Sequence, residues 1–135
     1  MLRYKITIQY DGTNYFGWQM QSHKRTIQKE IENALSPLNN NKRIIVTAAG
    51  RTDTGVHAFG QVAHFDLDTK LNAVQLLRAI NARLQKDIRI VDIVNVSDEF
   101  HARFSAKKRH YRYQCYLGDN LLYKNQSWFA DKIEI

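Results

Sequence analysis

The hydrophobic pattern changes period along the chain in an order that few folds can satisfy. Tyr4, Ile6, Ile8 and Tyr10 alternate with Arg3, Lys5, Thr7 and Gln9, the period of a half-buried strand. After Thr26, a good N-cap, Ile27, Ile31, Ala34, Leu35 and Leu38 recur at helical spacing until Pro37 and three asparagines close the segment. Branched residues 44–48 predict a second strand and the alternation over 61–68 a third. Asn72 opens a second helix to about Leu84 that buries Ala73, Leu77, Ile80 and Leu84, and residues 88–96 are strand again. Strand, helix, strand, strand, helix, strand is the order of the split βαβ, ferredoxin-like plait, an α+β fold whose antiparallel sheet is covered by helices on one face. The other face is left free to meet a partner.

Charge narrows the partner. The 135 residues carry a formal +7, which suits a phosphate backbone, and no long basic amphipathic helix argues for a membrane surface. No apolar run is long enough to span a bilayer, and the alternating amino terminus is unlike a signal peptide, so a cytoplasmic protein is expected. A single cysteine, Cys115, excludes an internal disulfide and multi-cysteine metal centres, and reads as a buried thiol. His57 and His64 lack companions at metal-ligand spacing. No metal site is expected.

Residues 49–65, AGRTDTGVHAFGQVAHF, interrupt the strands with a glycine-punctuated loop holding one acid, Asp53, two residues after Arg51. In an extended segment both side chains leave on the same side, and the guanidinium would keep the carboxylate ionised and usable as a nucleophile. A polar connection in which the two merely pair in solvent is the bland alternative. In residues 10–19, YDGTNYFGWQ, the aromatics Tyr15, Phe16 and Trp18 read as core plugs before base-stacking platforms. Beyond Asp98, basic and aromatic residues interleave in FHARFSAKKRHYRYQCY, residues 100–116. They suit RNA, or equally an edge strand with Tyr111, Tyr113, Cys115 and Leu117 packed inward. No RRM-type aromatic strand signature is present.

In their order along the chain, these three stretches resemble the motifs of the TruA family of tRNA pseudouridine synthases. The resemblance implies an isomerase acting on uridine in the tRNA anticodon stem-loop, positions 38–40, with no cofactor and no metal. It implies Asp53 as catalytic nucleophile, attacking ribose C1′ or the uracil ring, and Tyr111 as the ring lying against the everted base. Arg51 is expected to be a substrate-binding residue that keeps the Asp53 carboxylate ionised and helps brace the vacated stack, and Tyr111 or a water is expected to accept the C5 proton. Arg103, Lys107, Lys108, Arg109 and His110 are candidate RNA contacts. Family members are homodimers about twice this length, so residues 1–104 are expected to form the subdomain carrying the Asp loop. Residues 105–135 then begin a second, incomplete subdomain, with a strand leading into a helix start over 127–135. A catalytically silent basic RNA-binding module is the competing reading.

Overall fold

The computed structural model describes residues 1–117 and 128–130. The strands are β1 (Leu2–Tyr10), β2 (Thr47–Ala48), β3 (Ala58–Leu67) and β4 (Ile88–Val96), and the helices are α1 (Ile27–Leu35) and α2 (Ala73–Arg83). All strand pairs in the four-stranded sheet are antiparallel, in the order β2-β3-β1-β4. Both helices connect strands that are not neighbours, as the plait requires. A separate parallel pair joins β5 (Cys115–Leu117) to β6 (Trp128–Ala130). The expected helix start in 131–135 and the burial of the Cys115 thiol lie outside the described residues and side chains.

Period decides which face is core. Tyr4, Ile6 and Ile8 of β1 share a face with Phe65, Ala63 and Gln61 of β3, and the apolar members pack under α1 and α2. Ile27, Ile31, Ala34 and Leu35 of α1 are buried as their spacing predicts, and Leu38, in a following 3-10 turn, is partly buried. In α2 the fully buried pair is Leu76 and Ile80, with Ala73, Leu77 and Leu84 only packed against the core. The apolar stripe is thus rotated toward Leu76, a residue the sequence reading passed over. Asn72 caps this helix reciprocally with Gln75. β4 takes one extra residue opposite β1 between Ile90 and Asp92, and the Asn81 side chain brackets Ile90 there, donating to its carbonyl and accepting its N–H.

The second strand is shorter than the sequence suggests, because side chains of α1 take the backbone groups a ladder would use. The Val46 N–H donates to Glu32 Oε2 at 3.0 Å, and its carbonyl accepts Gln28 Nε2 at 3.2 Å. Glu32, almost fully buried, also accepts from Gln28 Nε2 and from Arg43 Nε at 2.7 Å. Several charge-assisted donors offset the cost of burying that carboxylate. Residues 44–46 therefore run beside the sheet, and pairing with β3 begins at Thr47.

The face away from the helices is not wholly open. Arg3 grips Asp66 across the β1–β3 ladder through Nε and Nη2, at 2.8 and 3.0 Å, and its Nη1 donates to the Asp98 and Phe100 carbonyls. The segment after β4 is thereby drawn across the sheet, where the Ala102 N–H donates to Nδ1 of the buried His64 at 3.0 Å. His64 is thus a satisfied sheet residue and uses Nδ1 as an acceptor. Burial pushes its imidazole below the ordinary 6.5, and the Arg3 and His101 charges push the same way. The unfolded chain takes up this proton at a higher pH than the folded chain does, so this contribution to stability is full above 6.5 and is lost as pH falls from there to the folded value. Urea midpoints should drop across that window in the native chain, and His64→Asn should flatten the drop. An unchanged profile in the variant would contradict the assignment.

Candidate active site

The first turn of α1 is held by the loop before it. The Ile27 and Gln28 N–H groups donate to the carbonyls of Gly17 and Trp18, at 3.2 and 3.0 Å, and Thr26 Oγ1 caps Lys29. Donors that a helix start normally leaves to water or to a cap are thus spent on fixing the 10–19 loop. Its aromatics divide. Tyr15 and Trp18 are core plugs, as expected, while Phe16 stands out 45% exposed with the Lys24 ammonium 5.1 Å from its centroid. The Tyr15 hydroxyl bonds Asp87 at 2.5 Å and accepts from Arg25 at 2.8 Å, and the Arg25 guanidinium lies over its ring.

This loop in turn holds the one that carries Asp53. The Trp18 N–H donates to the Thr52 carbonyl, the Gly55 N–H to the Tyr15 carbonyl, and the Gly12 N–H to His57 Nδ1, at 3.0, 3.2 and 3.0 Å. Tyr10 and Thr52 share a hydroxyl hydrogen bond of 2.8 Å. Burial pushes the Tyr10 phenol up, so it stays a neutral hydroxyl over the useful pH range. Contact is close enough to exclude a β-carbon. One added at Gly12 would lie 2.0 Å from the Val56 carbonyl oxygen, and one at Gly17, where φ is +79°, 2.6 Å from the Thr52 oxygen. Both obstacles are backbone.

A cleft of about 540 Å³ opens beside this interlock. Trp18, Gln28 and Ala49 contribute to its wall, and Arg51, Arg103, Arg109 and Tyr111 bring cations and a phenol to it. Residues from three separated motifs therefore meet at one place. Asp53 is exposed and follows Arg51 by two positions, but it is not among the cleft-lining residues. No ion pair joins it to Arg51 among the described residues, in contrast to the pairing expected from an extended segment. The Val56 N–H donates to the Asp53 carbonyl at 3.1 Å and closes a turn just after Asp53. Lys107, Lys108 and His110 are exposed and stand outside the cleft lining.

Residues 105–114 do not form the inward-packed strand that their alternation allowed. They have no regular structure, and Tyr111 and Tyr113 are 63% and 89% exposed. Just upstream, His101 Nδ1 accepts the N–H groups of Arg103 and Phe104, both at 3.2 Å, and Ser105 closes the turn with the His101 backbone. That turn presents Arg103 to the cleft. The sequence reading weighed Trp18 as a core plug before a stacking platform and did not foresee the cleft contribution of Gln28, which resembles an ordinary helix residue. Gly12 and Gly17, inside a motif already singled out, were the available signal. Among the described residues no cluster of three or more His, Cys, Asp or Glu could hold a metal ion, and no helix is long and apolar enough to cross a membrane.

The glycine contacts order the cost of adding a methyl group. Gly12→Ala and Gly17→Ala should each cost about 2 kcal/mol or more, since backbone must move. Gly55, at φ +79° in open space, should cost about 1 kcal/mol from conformation alone. Gly60→Ala, whose nearest contact is an ordinary 3.8 Å to Thr7, should change little. Thermal or urea melts of the four variants check this order, and a Gly17→Ala chain as stable as Gly60→Ala would contradict the interlock.

Comparison with known proteins agrees with this arrangement. Residues 6–105 match the family model described as tRNA pseudouridine synthase. The tRNA pseudouridine synthase A of Geobacillus sp. (strain WCH70) is 52% identical over 112 residues, covering 83% of this chain and 45% of the relative. The protein of the same name from Streptococcus pyogenes serotype M49 (strain NZ131) is 47% identical over 125 residues, covering 93% of this chain and 49% of the relative. The chain spans about half the length of these curated relatives. A match over most of its residues, through the sheet, both interlocking loops and the turn that presents Arg103, places this chain in the tRNA pseudouridine synthase family.

Proposed function

We propose that this chain carries the Asp-bearing part of a tRNA pseudouridine synthase and that Asp53 is its nucleophile. The observation that carries the reading is the convergence of Arg51, Arg103, Arg109 and Tyr111 on one cleft beside the loop that fixes Asp53. Its volume falls within the range of small-molecule sites and suits a nucleoside. The reaction breaks the ribose C1′ to uracil N1 bond, turns the base and joins C1′ to C5, while N1 gains a proton and C5 loses one. Atoms and electrons balance without a co-reactant. Asp53 attacks C1′ or the uracil ring, and Tyr111 or a water takes the C5 proton.

The substrate of this reading is a uridine of the tRNA anticodon stem-loop, positions 38–40, turned out of the stack before a side chain reaches it. Tyr111, largely exposed at the cleft, supplies a ring for the everted base. The net charge of +7 supports binding through phosphates, with Lys107, Lys108 and His110 as outlying contacts. Residues 1–104 form the Asp-bearing subdomain and 105–135 begin a second one. In this reading the full-length protein is a homodimer working in the cytoplasm, which sedimentation and cell fractionation test directly.

Asp53→Asn should abolish tritium release from C5-labelled uridine in tRNA, measured with the polypeptide as its reading frame encodes it, while tRNA affinity changes by less than about twofold. Release near the native rate in that variant would remove Asp53 from the chemistry. Binding without release in the native protein would favour a silent RNA-binding module.

A further inference from the structure

Three arginines reach the cleft, but they are not equivalent. Among the described residues the guanidinium groups of Arg51 and Arg103 make no hydrogen bond or ion pair, and both remain free to meet phosphate. Arg109 is already engaged. Its Nε and Nη2 both donate to the Ala49 carbonyl, at 3.0 and 2.6 Å. The next carbonyl, that of Gly50, accepts Gln61 Nε2 at 2.6 Å, and the Ala49 N–H donates to Val62 at 2.7 Å. The backbone entering the Asp53 loop is thus tied on one side to the sheet and on the other to residues 105–114.

We propose that Arg109 is a positioning residue, a strap that fixes residues 105–114 to the entry of the Asp53 loop and so sets Tyr111 over Gly50. The absence of a side chain at Gly50 permits the approach, since a β-carbon there would lie 3.2 Å from Arg109 Nε and 3.9 Å from the Tyr111 hydroxyl. A fork donating two N–H groups to one carbonyl fixes the direction of the stem as well as its distance, which a lysine ammonium does not. The Nε–Nη2 edge, one of the two with which a guanidinium grips phosphate, is used up on protein. The Arg109 fork is a side-chain hydrogen bond that joins residues 106–113 to the entry of the Asp53 loop, beside a looser contact in which the Arg112 guanidinium lies 5.5 Å from the Phe59 ring centroid. Without it the Tyr111 ring would be held less closely relative to Asp53. Misplacement on the order of 1 Å can cost about a hundredfold in rate.

The role of Tyr111 in this inference rests on the proposed synthase activity, whereas the strap itself does not. Arg109→Ala, Arg109→Lys and Arg103→Ala are compared in the polypeptide as its reading frame encodes it, by single-turnover tritium release and by tRNA binding over a salt series. Both Arg109 variants should lose about tenfold or more in turnover, with Kd within about twofold and the salt slope unchanged. Arg103→Ala should lower the slope by about one. Recovery of turnover in Arg109→Lys, together with a slope lowered by about one in Arg109→Ala, would make Arg109 a phosphate contact and overturn the proposal. If the native protein neither binds nor isomerises tRNA, the functional reading fails and hydrogen exchange still decides the strap. The Ala49 amide should then exchange faster in Arg109→Ala than in Arg103→Ala, and equal protection would overturn it.

Discussion

Close backbone contact between the 10–19 loop and the Asp53 loop is the constraint on which the site depends. A carboxylate on an isolated loop samples many positions, and fixing each backbone residue costs on the order of 1 kcal/mol or more in entropy. Here Gly12 and Gly17 let one loop lie directly on the carbonyls of the other, and three backbone N–H groups stitch them together. The first loop is rigid because its own Gly17 and Trp18 carbonyls cap α1. Order thus passes from a packed helix through one loop to the next.

The core supplies the platform for that sequence of contacts. Ile6 and Ile8 of β1 and Ile27, Ile31 and Leu35 of α1 are fully buried, each contributing about 1.5–3 kcal/mol of apolar burial. β1 ends at Tyr10, whose ring lies in the core and whose hydroxyl meets Thr52 of the Asp53 loop. A single residue therefore belongs to both packing and site. Glu32 and Gln28 make a second such link, since they hold Val46 just ahead of the loop and Gln28 lines the cleft. Where these side chains satisfy the backbone, the ladder gives way, and the cleft lies next to that gap.

Among the described residues, the cleft lining carries cations and no acid. Arg51 and Arg103 are unpaired among the described residues, while acids such as Asp66, Glu32 and Asp87 pair outside the cleft lining with Arg3, Arg43 and Arg25. An anionic ligand would meet an attractive field there and would lose none of it to internal neutralisation. Asp53 is exposed and has no ion pair among the described residues.

The order of elements, the face each strand buries and the capping residues Thr26 and Asn72 were legible in the sequence, because they follow from periods of two and 3.6 and from local hydrogen-bonding chemistry. The strand over 88–96 was read to its ends, and the three motifs that meet at the site were visible as compositional departures. Tertiary structure decided the rest. Val46 was withdrawn from the ladder by Glu32 and Gln28, fourteen or more residues away in sequence, and Leu76 took the place in the core that Leu77 was expected to fill. Arg51 and Asp53 do not pair among the described residues, and Arg109 found its partner in Ala49, sixty residues earlier. Each of these depends on which distant groups share a surface once the sheet has formed, and no local pattern encodes that.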